Sequence, residues 1–493
     1  MTATLLHELL DAATAGHPDR AAVGRADGTL SYRDLTAASH RIARGLADRG
    51  VRRGDRVLVA LPPEPLLPAL LFGCSRAGAV FCVLDDAAPA AAYAHVLDDA
   101  EPALVVTANP DAARLAADRG IGRAAPAELA GTRPGPAPDG PIPVDPICLI
   151  YTSGSTGLPK AVVSTHAQLC FAVAAIQSQL GYRETDVVFC PLPLSFDYGL
   201  YQIFLATAAG ARVQLATAAD AGPRLLAELH RCGATVLPAV PGVARGLARL
   251  LSRPGATPPP LRLVTNTGST MPDGVLAELR GRIPGLGVQL MFGLTECKRT
   301  TIMPVDEDLR RPGSCGRALP GTEVFAIGPD GTRLPPGEVG ELVVRGPHVM
   351  AGYWRRPEQT AQRFPRDAGL FPRLRTGDYG WCDEDGYLYF VGRRDDLYKQ
   401  RGFRVSATEV ELAATRIAGV ESAAVLPPGA ERAEATLFAV TALEPAEVLA
   451  RLRTELEEFK VPGRCVVVRS IPSTTNGKID RAALARMPDG SHV

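Results

Sequence analysis

Residues 151–160 read Tyr151-Thr152-Ser153-Gly154-Ser155-Thr156-Gly157-Leu158-Pro159-Lys160, and the apolar run Ile147-Cys148-Leu149-Ile150 leads into them. The run has the character of a buried strand. The stretch after it crowds hydroxyls and glycines together, so that consecutive backbone N–H groups can point into one concavity, with Lys160 supplying a charge at its end. Such a nest suits the phosphates of a nucleotide. It is not a GxxxxGK[ST] loop, because Leu158-Pro159 precedes the lysine and Ala161 follows it. Thr152, Ser153, Gly154, Ser155, Thr156, Gly157 and Lys160 are therefore candidate phosphate-binding residues.

The bulk composition sets limits around this loop. A chain of 493 residues has room for at least two domains. Its 53 basic residues balance 53 acidic ones, which carries no footprint of nucleic-acid or membrane binding. The N-terminus lacks a basic region followed by an apolar core, and no apolar run has the length of a membrane span, so a cytoplasmic protein is expected. Ten cysteines are dispersed without a CxxC pair, and Cys82, Cys148 and Cys190 sit in apolar runs, which points to buried free thiols.

Along the first 390 residues, helical patterns alternate with short apolar runs such as Arg56–Leu61, Ala103–Thr107, Arg212–Leu215 and Leu261–Thr265, an α/β signature. Residues 131–143 read as a loop. Residues 320–392 hold closely spaced strands, including Glu341–Arg345 and Tyr387–Val391, and suit a small antiparallel, barrel-like unit. Beyond Asp395 the pattern predicts a helix at 406–417, strands near 420–427 and 435–441, and a helix at 446–459.

An ordered series of motifs accompanies the loop: Met291-Phe292-Gly293-Leu294-Thr295-Glu296, Arg375-Thr376-Gly377-Asp378, the stretch Gly392–Arg404, and Pro472–Arg481 with its Asn476-Gly477-Lys478 turn. Together with the 151–160 loop they resemble the adenylate-forming superfamily, which includes acyl-CoA synthetases and peptide-synthetase adenylation domains. The resemblance covers almost the entire chain. It implies a layered α/β N-terminal core, residues 1–394, and a small α+β lid, residues 395–493, hinged at Asp395.

The same resemblance assigns roles to ATP- and Mg²⁺-facing residues. Phe292 stacks on adenine, Thr295 meets the α-phosphate, and Glu296 holds Mg²⁺, for which a hard carboxylate oxygen beside substrate phosphates is apt. Asp378 accepts from the ribose hydroxyls, as an ionised, acceptor-only carboxylate can. Arg393 faces ribose and phosphate. Thr267, Gly268 and Ser269 line the adenine, with Met291, Gly293 and Phe390 beside them. Lys478 reaches the substrate carboxylate and the α-phosphate as charge builds in the transition state.

Residues Pro191–Leu200 bear on the acid. Peptide-synthetase adenylation domains carry FDxS here, and Phe196-Asp197 matches while Gly199 replaces the serine. Its aspartate pairs with the substrate ammonium, and a pocket carboxylate needs such a cation. Phe196, Asn266 and Gly293 border that pocket. Glu296-Cys297-Lys298-Arg299 resembles, with the FDYG stretch, stand-alone enzymes of macrolactam polyketide pathways that load β-amino acids or small α-amino acids onto discrete carrier proteins. Lys298 or Arg299 would there meet a second carboxylate, with surface or phosphate-side charge as the plainer alternative. No carrier-type serine motif follows Lys478, so a separate phosphopantetheine carrier is the expected acceptor. The runner-up is an acyl-CoA ligase for a non-amino acid.

Overall fold

The computed structural model describes residues 3–25, 28–131, 140–152, 159–366, 371–393, 396–400, 403–429, 434–474 and 479–487. Two large sheets and their helices form the N-terminal part. In the first, Pro146–Thr152 and Lys160–Thr165 make an antiparallel hairpin, with Thr152 paired to Lys160 at its neck. On one side of the hairpin lie the parallel strands Val80–Val83, Arg56–Ala60, Leu104–Thr107 and Gly122–Ala124. On the other, the two-residue strand Gly352–Tyr353 closes the edge.

The second sheet has a parallel half built from Ala21–Arg25, Arg212–Leu215, Val187–Cys190, Val236–Pro238, Leu263–Asn266 and Gly287–Phe292. These are short apolar strands covered by helices, as parallel sheets require. Their carboxyl ends lie on one side, where ligands bind in open α/β sheets. Val187–Cys190 feeds Phe196–Asp197, Leu263–Asn266 feeds Thr267–Ser269, and Gly287–Phe292 feeds the Thr295–Arg299 loop.

The expected antiparallel strands are present as Glu323–Ile327, Gly340–Arg345, Leu374–Cys382 and Tyr387–Arg393. Rather than standing apart as a barrel, they continue the second sheet through Ser314–Ala318 and Thr301–Ile302. That continuity carries Phe390, Asp378 and Arg393 next to the end of Gly287–Phe292.

The small C-terminal α+β part holds a hairpin, Leu397–Gln400 with Phe403–Ser406, the helices Ala407–Arg416 and Pro445–Glu455, and a sheet of Val420–Leu426, Thr436–Thr441 and Arg464–Val467. The third strand, parallel to its neighbour, is absent from the sequence reading, because Arg464–Val467 is too short for its alternation to show. The domain boundary at 394/395, with the Asp395 hinge, lies outside the described residues.

Local sequence explains the helix that orients the candidate acid pocket. Asp197–Ala209 begins with its acidic residue in the first turn, favourable to the helix dipole, and ends at Gly210 with φ 68°. Every residue from Asp197 to Thr207 is buried, as expected for a helix apolar on nearly all sides. Phe204 anchors it edge-on against Phe72, ring centroids 6.1 Å apart. All ten cysteines are free, eight of them buried, as their apolar settings led us to expect. Among the described residues no helix is long and apolar enough to cross a membrane.

Candidate active site

The nucleotide-facing candidates converge. Phe292, closing its strand, lies 5.4 Å from Phe390 between ring centroids at 32°, so the two rings form one aromatic wall. Asp378 and Arg393 are register partners on adjacent strands, and Arg393 Nε lies 3.3 Å from the Asp378 carboxylate. The Arg363 guanidinium donates to the Thr376 carbonyl and underpins that turn. Gly268, at φ 88°, borders Phe196, since a Cβ there would lie 3.5 Å from the ring. Thr267 and Met291 are buried; Ser269 and Thr295 are half-buried.

Glu296 is 8 % exposed and accepts a hydrogen bond from the Tyr353 hydroxyl at 2.7 Å. Burial and the adjoining carboxylate push the Tyr353 phenol above its ordinary range, so it remains a donor. Lys160 Nζ lies 3.8 Å from the centroid of the same ring. Desolvation pulls the Lys160 ammonium down, and the nearby Glu296 carboxylate opposes that shift. Ser153, Gly154, Ser155, Thr156 and Gly157 lie outside the described residues, as do Lys478 and Asp395. Around Lys478, Ser473 and Ile479 form an antiparallel bridge, and the Asp480 N–H donates to the Pro472 carbonyl at 2.9 Å.

The acid-side candidates form a second cluster, and its charge pattern differs from the sequence expectation. Asp197 already has a protein partner: Arg299 donates to its carboxylate at 3.2 Å, with both side chains nearly inaccessible. Arg299 also lies over the Tyr198 ring at 4.9 Å. Lys298 is fully buried, and its Nζ has no hydrogen-bond partner among the described residues. Desolvation lowers the Lys298 pKa, and the Asp197 carboxylate is the largest influence raising it. Neither cation is a surface charge. The cluster thus sets two basic side chains beside the Asp197 carboxylate, with Glu296 a smaller influence on Lys298. Asn266 spends an amide N–H on the Ala239 carbonyl at 3.0 Å.

Two glycines make the cluster sterically possible. A Cβ on Gly199 would collide with the Pro193 carbonyl oxygen and sit 2.9 Å from that of Leu192, which explains why serine is missing from the FDYG stretch. A Cβ on Gly293 would run into the Lys298 carbonyl and lie 2.9 Å from the Arg299 Cα. The loop therefore folds back on Gly293, with Lys298 at φ 62° and the Thr300 N–H donating to the Phe292 carbonyl at 2.8 Å. This turn drives both cations inward.

Residues 10–354 match the AMP-binding enzyme family, and residues 409–478 match the AMP-binding enzyme C-terminal domain. The chain belongs to the AMP-binding enzyme family. It is an adenylate-forming ligase, with relatives on both sides of the amino-acid question. The dimodular nonribosomal peptide synthase of Bacillus subtilis (strain 168) is 30% identical over 95% of this chain, which spans only 20% of that protein's length. Feruloyl-CoA synthase of Amycolatopsis sp is 32% identical over 95% of this chain and 96% of its own. Among solved structures, VinN in complex with L-aspartate is 39% identical, with a TM-score of 0.72 over 79% of this chain and 98% of VinN.

Tyr201 and Tyr353 were missed in the sequence. Tyr201 stands four residues from Asp197 on one helix, so helical spacing alone places both on one face. Its ring lies 5.6 Å from Lys298 Nζ, and its buried hydroxyl lacks a partner among the described residues. Tyr353 meets Glu296 only through tertiary structure, and no local pattern signals it.

Proposed function

We propose that the enzyme activates an acidic amino acid as its aminoacyl-AMP and passes it to the phosphopantetheine thiol of a separate carrier protein. The observation that carries the substrate class is the buried, unpartnered Lys298 ammonium beside the Asp197–Arg299 pair. Burial disfavours a charged lysine without a partner, and an anion placed beside Lys298 would stabilise its ammonium. An aspartate-like acid supplies that anion as a second carboxylate, while its ammonium faces Asp197. The binding of L-aspartate by VinN supports this reading.

In the first half-reaction an oxygen of the reacting carboxylate forms a bond to the α-phosphorus of ATP. The bond from that phosphorus to the bridging oxygen breaks, and pyrophosphate leaves. Phe292 and Phe390 hold the base, Asp378 and Arg393 the ribose side, and the 151–160 loop the departing phosphates. Lys478 offsets the charge gathering between the two anions. Glu296 presents a hard oxygen suited to Mg²⁺, which when bound neutralises phosphate charge. In the second half-reaction the carrier thiol, its proton released to solvent, bonds to the acyl carbon and AMP leaves. The segment after Arg393 acts as the hinge between the two poses.

A pyrophosphate-release screen across α-, β- and acidic amino acids and plain carboxylic acids tests the proposal. Turnover should concentrate on amino acids bearing a second carboxylate, and the product should load a phosphopantetheinylated carrier in preference to coenzyme A. Strongest turnover with a cinnamate-type acid and coenzyme A would favour the feruloyl-CoA synthase likeness instead.

A further inference from the structure

Tyr353 stands where the two sheets' functional edges meet. It occupies the two-residue edge strand Gly352–Tyr353, in register with Val162 of the strand that begins at Lys160. Its backbone N–H is held by the Thr360 hydroxyl at 3.0 Å, and its ring packs edge-on against Phe364 at 5.4 Å. From this fixed place the hydroxyl donates to one oxygen of Glu296, and one ring face carries the Lys160 ammonium. No other described side chain donates to the Glu296 carboxylate, so its second oxygen stays available. The backbone of the same region is tied in too: the Met350 N–H donates to the Glu296 carbonyl at 2.9 Å.

We infer that Tyr353 is a positioning residue that sets the Glu296 carboxylate and the Lys160 ammonium at fixed places from which both address the nucleotide phosphates. The inference rests on the reading of Glu296 and Lys160 given above. Partners that orient a metal-binding carboxylate govern metal affinity about 10–100-fold. A cation held on a ring face is preorganised for an anion, with a smaller effect.

ATP binding to the full chain, measured by calorimetry in EDTA and in saturating Mg²⁺, separates these roles. Tyr353→Phe keeps the ring and loses the hydroxyl: the gain in ATP affinity on adding Mg²⁺ should shrink about tenfold, while affinity in EDTA holds. Tyr353→Leu should in addition weaken binding in EDTA by roughly threefold. Glu296→Gln serves as the reference and should remove most of the Mg²⁺ gain. If Glu296→Gln does so and Tyr353→Phe does not, the positioning role fails while the Glu296 assignment survives. If Glu296→Gln leaves the gain intact, both fail. Equal weakening of Tyr353→Phe in EDTA and in Mg²⁺ marks a merely structural tyrosine and also overturns the inference.

Discussion

Lys478→Ala should lower the rate of adenylate formation by about 10²–10³, the scale of removing one charge partner from a transition state. Thiol transfer from adenylate supplied preformed should persist, because the lysine serves only the first half-reaction. The melting temperature should stay near that of the wild type. The flanks of the lysine are organised independently of it: the Ser473–Ile479 bridge and the Asp480–Pro472 hydrogen bond involve backbone, and the Asp480 carboxylate caps the helix Arg481–Ala485. Single-turnover measurement of each half-reaction checks this, and equal loss in both would remove Lys478 from its assigned role.

Asp197→Asn should raise the Michaelis constant for the amino acid about a hundredfold or more. The substrate ammonium loses the carboxylate that faces it, and breaking a buried charge pair by removing one partner costs about 3–5 kcal/mol. The same reasoning predicts a measurable fall in stability, since Arg299 loses its carboxylate even without substrate. ATP affinity should hold, because the Phe292–Phe390 wall and the Asp378–Arg393 pair lie on other strands. Kinetics with the amino acid and its des-amino analogue, beside a calorimetric ATP titration, read all three effects.

Much of this was legible from the chain. Alternating apolar runs located the parallel strands, with Arg212–Leu215 matching end to end, and the helix expected at 406–417 is Ala407–Arg416. Those signals are local, set by burial on both faces of a sheet and by helical period. The charge state of the acid pocket was not local. Asp197 and Arg299 are 102 residues apart in sequence, and their pairing depends on the turn that Gly293 alone permits. The resemblance pointed to Asp197 as a carboxylate facing the substrate, and the fold adds a guanidinium beside it and buries Lys298 nearby without a hydrogen-bond partner among the described residues. Tyr353 escaped for the same reason: an edge strand of two residues carries no periodicity to read.

The central claim is that Lys298 awaits the second carboxylate of an acidic amino acid. Its most direct test is the ratio of kcat/KM for L-aspartate to that for L-alanine, measured by pyrophosphate release in the wild type and in Lys298→Met. The account predicts a ratio far above one in the wild type, falling roughly tenfold or more in the variant, as loss of one desolvated charge contact implies. A wild-type enzyme that prefers alanine, or a ratio untouched by the substitution, would contradict it.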